Sequence, residues 1–227
     1  CADCKKIKVL GSVEDIRKET TSNNKFIIMR HGESDSVVSG LMDCNPKSSN
    51  DLTAKGVADV KVSAETLKEK NIDVIFASNF LRTKHTAELV ADTLGYDKTK
   101  IIYDERLWEI NAGDFDGKTV ADYRGFYSSM EERFIKRVPN GEGATDIKSR
   151  MIEFLYEINS KYQGKNILII SHGDPMWLLV VGSRGAMPKE AIAMRDSVYL
   201  SPAEFKDLPF APISHNENYE LDFHKPY

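Results

Sequence analysis

Short apolar runs alternate with amphipathic stretches along most of this chain, and two of the runs end in a histidine followed by glycine. Phe26-Ile27-Ile28-Met29 leads into Arg30-His31-Gly32, and residues 166–170 lead into Ser171-His172-Gly173. Four consecutive apolar residues between polar ones read as a strand buried on both faces. Residues 74–77 and 101–103 read the same way, and residues 197–200 as a last strand. Helical spacing fills the intervals. Thr53 reads as the cap of a helix carrying Val57, Val60, Ala64 and Leu67, and residues 79–94 as a helix stopped by Gly95. Ile147, Met151, Phe154, Leu155, Ile158 and Tyr162 form one apolar stripe, and residues 174–182 a further helix. Residues 41–51 are rich in turn formers, and residues 104–140 read as an irregular insert of loop and helix. The alternation predicts an α/β fold: a three-layer sandwich with a mostly parallel sheet and helices on both faces. Such sheets bind ligands at the carboxyl ends of their strands, near a topological switch point, and both histidines fall at strand ends.

Composition narrows the function classes. The 227 residues can bury a sizeable core without disulfides, and length alone allows one or two domains. With 31 basic and 35 acidic side chains the net charge is −4, which argues against a general nucleic-acid binder. The longest apolar run, residues 176–181, is far short of the roughly 20 residues that span a bilayer. No membrane association is expected. Three cysteines, an odd number, suit a reducing compartment, so the expected location is cytoplasmic.

The chemistry concentrates at Arg30-His31-Gly32-Glu33. A neutral imidazole can accept a phosphoryl group and split one difficult step into two. That chemistry needs cationic donors for the phosphoryl oxygens, and Arg30 offers a planar fork. Arg82 falls in the first turn of a helix just after a strand, where a guanidinium adds to the anion-attracting N-terminus. Glu109, in a loop, could protonate a leaving oxygen and then activate water. His172 could donate to the phosphoryl oxygens. Each residue also has a structural alternative: a turn histidine bonded to backbone, an exposed arginine, an exposed glutamate.

Taken in order, these segments resemble the histidine phosphatases, a family that includes the phosphoglycerate mutases. Arg30-His31-Gly32-Glu33-Ser34 resembles its opening signature, and Leu52-Thr53 with Gly56 its Leu-Thr-x-x-Gly helix start. Arg82 with Ser78, Thr86 and Ala87 resembles its second arginine segment. Leu107, Glu109, Gly113 and Gly117 resemble its acid loop, and Pro139, Gly141 and Glu142 with Arg150 a substrate-side segment. The likeness covers residues 25–200 and implies a phosphoglycerate mutase-like fold. It also implies His31 as the nucleophile that becomes phosphohistidine. Arg30, Arg82 and His172 would hold the phosphoryl group, and Glu109 would be proton donor and then base. The implied substrate is a small phosphorylated molecule, with no metal and no organic cofactor.

Departures are equally visible. Val37 stands where the family often has a phosphate-contacting asparagine, leaving Ser34, Ser36 or a backbone group to replace it. Asn111-Ala112-Gly113 stands for Asp-Phe-Gly. Asp174-Pro175 follows the second histidine, which places a carboxylate near an anion pocket; the favoured reading of Asp174 is a helix cap with Pro175 at the first helical position. Only 63 positions separate Glu109 from His172, shorter than in the phosphoglycerate mutases, and the Asn-Glu-Arg-x-x-Gly of those enzymes is absent. Both points favour a hydrolase over a mutase. A third reading, a retired phosphatase fold serving as a binding or spacer module, draws only on the loss at Val37.

The ends do not fit this pattern. Residues 1–19 and 216–227 resemble two segments of an isoleucyl-tRNA synthetase, which suggests a phosphatase domain of residues 25–202 inserted in a synthetase. Residues 1–24 and 203–227 would then be host tails in covalent continuity with it. Nucleic-acid binding is not expected of this domain alone. On this view the two tails meet on one side, away from His31. Cys1 and Cys4, with His215 and His224, are candidate zinc ligands, set against a plain terminal pair. Cys44 has no partner in the sequence pattern. Trp108 and Trp177 read as packing residues, with Trp108 an alternative wall of the substrate mouth.

Overall fold

The computed structural model describes residues 22–222. Cys1, Cys4, His224 and the outer parts of both tails lie outside them. Five strands, β1 (Lys25–Arg30), β2 (Val74–Ala77), β3 (Ile102–Tyr103), β4 (Asn166–Ser171) and β5 (Phe205–Leu208), form one sheet in the order β3-β2-β4-β1-β5. All neighbours are parallel except β1 and β5. The helices are α1 (Asp35–Ser39), α2 (Ala54–Leu67), α3 (Leu81–Leu94), α4 (Val120–Gly125), α5 (Glu132–Ile135), α6 (Ala144–Lys161), α7 (Gly173–Gly182) and α8 (Pro188–Val198).

Strand alternation sorts the sheet into two cores. Ile27, Met29, Ile75, Ala77, Leu168 and Ile170 pack with Val60, Ala64 and Leu67 of α2 and Ala87, Val90 and Ala91 of α3. Phe26, Ile28, Phe76, Ile167 and Ile169 face the other way, onto α6 and α7. This is the three-layer α/β sandwich that the sequence predicts. Continuous apolar runs are needed because β1, β2 and β4 are covered on both sides. No helix among the described residues is long and apolar enough to cross a membrane.

Local signals place most element ends. Thr53 caps α2 by accepting from the Gly56 N–H, and Gly95 ends α3 in the left-handed conformation at φ 67°. Residues 197–200 are not a strand: α8 runs through Val198, and the fifth strand is supplied by residues 205–208, beyond the expected domain limit of 202. Phe205–Leu208 (Phe-Lys-Asp-Leu) sets Phe205 against the α2 and α3 core and Leu208 against the α6 and α7 core, with two charged residues between them, so this edge strand lacks the apolar run of a buried one.

The start of α2 is pressed against the signature loop. A Cβ at Gly56 would stand 2.1 Å from the Glu33 carbonyl oxygen, and the Thr53 hydroxyl donates to the Glu33 carboxylate at 2.8 Å. Gly56→Ala must therefore push the backbone after His31 aside. We expect it to lower stability by about 1–3 kcal/mol, read from urea unfolding.

Candidate active site

Register alone brings the histidines together. In the parallel pairing of β1 and β4, Arg30 lies opposite Ser171, and the His31 N–H donates to the Ser171 carbonyl at 3.0 Å. One residue beyond each strand, the imidazoles of His31 and His172 meet edge to face with centroids 5.2 Å apart. After β1 the chain turns toward the α2 face, and after β4 toward the α7 face. The histidines thus flank the switch point.

Both rings are buried, and a backbone carbonyl fixes the tautomer of His31. His31 Nδ1 donates to the Gly32 carbonyl at 2.6 Å, which leaves Nε2 with its lone pair. Arg82 Nε donates to that Nε2 at 3.3 Å. Ser78 Oγ lies 2.9 Å from His172 Nε2, and His172 Nδ1 is buried without a hydrogen-bond partner, 3.8 Å from Glu109 Oε2. With the Ser78 hydroxyl donating, Nδ1 carries the proton of that ring. Burial, with Arg82 and Arg30 alongside, holds His31 well below the ordinary imidazole range. Burial likewise holds His172 low, with Arg82 and His31 adding to it.

A cavity of about 190 Å³ opens in front of this pair, lined by Arg30, His31, Arg82 and Glu109 among others. Four of the five expected residues thus share one surface. His172 is fully buried and not on that lining; it edges onto Phe80 at 4.9 Å. Arg82 is 2% exposed and lies in the first turn of α3, with its guanidinium 4.8 Å from the Phe80 ring centre. Arg30 donates to the Leu200 carbonyl at 3.1 Å and lies over Tyr199. A Cβ at Gly173 would stand 2.2 Å from the Tyr199 hydroxyl, so only glycine lets this layer close over the start of α7.

Glu109 is raised above the ordinary carboxyl range by burial, with Asp174 adding and Arg82 opposing. Its Oε1 accepts from the Ile110 N–H at 2.9 Å. The loop that carries it is held by Arg150, which bonds the carbonyls of Arg106, Trp108 and Glu109 and pairs with Glu142 at 2.9 Å. Arg150 and the Pro139–Glu142 region therefore support the acid loop rather than touch the cavity. Trp108 packs on Phe80 beside the same loop and does not line the cavity, while Trp177 is a fully buried core residue.

Several residues differ from expectation. Asp174 does not cap α7: His172 holds the cap position and no side-chain cap bond forms. Asp174 instead faces the cavity and pairs with Arg133 at 2.5 Å, with Arg195 at 3.7 Å. Burial opposes its ionisation, yet Arg133 keeps its carboxyl below the ordinary range. Val37 lines the cavity, 37% exposed, and offers no side-chain donor; Ser36 lies next to it on the lining. Asp43 was not singled out in the sequence, yet its carboxylate meets Arg82 Nη1 at 2.5 Å. His215 bonds the Tyr156 hydroxyl at 2.9 Å and the Ile213 carbonyl. The Cys44 thiol is pushed up by burial, chiefly, and by Glu109. No group of three or more potential metal ligands occurs among the described residues.

Comparison with known proteins agrees with this geometry. Residues 26–206 match the histidine phosphatase superfamily, branch 1. A Hydrogenobacter thermophilus protein named for phosphoserine phosphatase is 26% identical over 161 residues, 69% of this chain and 76% of that one. An Escherichia coli protein named for phosphoglycerate mutase, GpmB, is 29% identical over 158 residues, 67% of this chain and 71% of that one. Among solved structures, a mycobacterial glucosyl-3-phosphoglycerate phosphatase in complex with VO3 superposes with a TM-score of 0.70 at 19% identity. That match covers 81% of this chain and 91% of that one.

The buried neutral histidines make stability depend on pH. An imidazole whose folded value lies below its unfolded one near 6.5 contributes fully above that pH. Below it the unfolded chain binds the proton first, and stability falls by up to about 1.4 kcal/mol per pH unit per ring. Urea unfolding at pH 7.5 and 5.5 should therefore show a steeper acid loss for wild type than for His31→Asn. Equal losses would mean that His31 is not held neutral by the fold.

Proposed function

This chain belongs to the histidine phosphatase superfamily, whose members include phosphatases and phosphomutases, and we propose that it is a metal-independent phosphomonoester hydrolase working through phosphohistidine. The observation that carries the reading is His31 Nε2: unprotonated, buried, and facing a cavity that also holds Arg30, Arg82 and a protonation-prone Glu109.

In the first step Nε2 attacks phosphorus as the ester P–O bond breaks, and the Glu109 carboxyl proton passes to the departing oxygen. Arg30, Arg82 and the Nδ1–H of His172 hold the three phosphoryl oxygens as charge builds on them. In the second step Glu109, now a carboxylate, takes a proton from water. The water oxygen attacks phosphorus, the P–N bond breaks, and inorganic phosphate leaves with His31 restored. A neutral His31 is required throughout, since a protonated ring has no lone pair to give. The cavity suits a small leaving group. Val37, Leu41, Met42, Ile110 and Val120 give it an apolar wall, and the exposed Arg124 stands at its edge.

Phosphate release from phenyl phosphate should persist in EDTA and disappear in His31→Ala. Turnover that appears only with a bisphosphoglycerate primer would instead assign a phosphomutase, and none with any phosphoester a binding module. Glu109→Gln should slow an alkyl phosphate by about 10²–10⁴ and p-nitrophenyl phosphate far less, because nitrophenolate leaves without protonation. Equal losses would make Glu109 a binding residue.

The inserted-domain reading, within a synthetase, is supported by the terminal sequence segments and by the course of the described ends. Ser22 and Asn24 bond Asn159 and Tyr162, while residues 213–219 pack on Tyr156, so both ends run along α6. None of these end residues lines the His31 cavity. An immunoblot for this domain tests it: a band far above 25.6 kDa is expected, and one at that size would refute it.

A further inference from the structure

The guanidinium that the reaction above needs for the phosphoryl group is already gripped. Arg82 Nη1 donates to Asp43 Oδ2 at 2.5 Å, and Nη2 to the Asp43 carbonyl at 3.0 Å. Its third nitrogen, Nε, points at His31 Nε2. All three nitrogens of a 2% exposed arginine are thus engaged, two of them by one residue on the wall of the same cavity. Asp43 is itself well covered, with its side chain 15% exposed. A phosphoryl oxygen approaching this fork meets a carboxylate.

The carboxylate also has somewhere else to go. The same Oδ2 accepts from Asn50 Nδ2 at 2.7 Å and from Ser48 Oγ at 2.9 Å. The backbone on either side is pinned without help from the carboxylate. Met42 N donates to the Lys118 carbonyl at 2.8 Å, Gly117 N to the Met42 carbonyl at 2.9 Å, and Cys44 N to Asp116 Oδ1 at 2.8 Å. A small rotation of the Asp43 side chain can therefore free Nη1 of Arg82 while Ser48 and Asn50 keep hold of the carboxylate, and the pinned backbone keeps the Asp43 carbonyl on Nη2.

We propose that Asp43 is an internal competitor for Arg82 that sets how tightly the site holds phosphoryl oxygens. In the free protein its carboxylate closes the guanidinium fork. When a phosphoryl group enters, one of its oxygens takes the place of the carboxylate on Nη1, and the carboxylate keeps only its bonds from Ser48 and Asn50. Substrate and released phosphate face the same competitor, so both are weakened together, which raises KM without slowing the chemical step. The proposal rests on the phosphatase reading of the site.

Calorimetric titration of the full chain with inorganic phosphate and with orthovanadate tests it. Asp43→Asn keeps an oxygen for Ser48 and Asn50 but removes the charge, and it should bind both anions at least tenfold tighter than wild type. KM for phenyl phosphate should fall in parallel while kcat does not rise. Asn50→Ala, which loosens the loop but leaves the carboxylate on Arg82, should bind no tighter than wild type. Equal or weaker binding by Asp43→Asn, or tightening of the same size in Asn50→Ala, overturns the proposal and leaves the phosphatase reading standing. If neither wild type nor Asp43→Asn binds either anion at millimolar concentration, both readings fall.

Discussion

The parallel pairing of β1 with β4, with Arg30 opposite Ser171, is the constraint on which the site depends. It sets two imidazoles side by side without any bond between them, simply because each follows its strand by one residue. The register is protected by the two unlike cores. A slip of one residue would exchange Ile27 and Met29 with Phe26 and Ile28, turning medium-sized side chains away from α2 and α3 and a phenyl ring toward them. It would also carry His31 to the wrong face. The packing that stabilises the sheet and the geometry that aligns the histidines are therefore one requirement. The crossovers to opposite faces beyond those strand ends then open the crevice in which a ligand can sit.

Burial does opposite things to the groups gathered there. It keeps both imidazoles neutral, as the proposed nucleophile requires, and it pushes the Glu109 carboxyl up, toward the form the proposed acid requires. Two neighbouring arginines would normally hold a carboxylate ionised. Glu109 is raised nonetheless because burial, with Asp174 adding, outweighs Arg82, to which it makes no hydrogen bond; the bond it accepts from the Ile110 N–H works the other way. Asp174, a few ångströms of chain beyond His172, is bonded by Arg133 and stays ionised in an equally buried place. The two acids differ in pairing, not in burial, and that difference assigns their roles.

What the sequence made legible follows from locality. His31 and His172 were readable because each lies immediately after a four-residue apolar run, and Thr53 and Gly95 because capping acts within a single turn. Arg82 and Glu109 were readable from ordered family-like motifs. Asp43 and Arg150 were not given their roles, because those depend on partners 39 and 41 to 44 residues away in the chain, which no local pattern encodes. Asp174 was misread for the same reason. Asp-Pro at a helix start is a sound local signal for a cap, but the partner Arg133 lies 41 residues upstream in α5. The strand β5 was missed because this edge strand carries a single apolar residue toward each core, with Lys206 and Asp207 between, and so shows neither an apolar run nor an alternation.

The cavity's charges then decide what attracts an oxyanion. Arg133 spends its charge on Asp174, and Arg82 on Asp43. Arg30 bonds the Leu200 carbonyl rather than a carboxylate, and Arg124 stands exposed at the rim. The field that draws a phosphoryl group inward therefore comes mainly from Arg30 and Arg124, while Arg82 contributes fully only once Asp43 has turned away. Because Asp43 must be displaced by substrate, product and transferring phosphoryl group alike, the pair makes the bound wells shallower and leaves the barrier between them unchanged. A site built with every guanidinium open would hold phosphate more tightly and release it more slowly. The Asp43–Arg82 pair is a physical means of avoiding that outcome within the same fold.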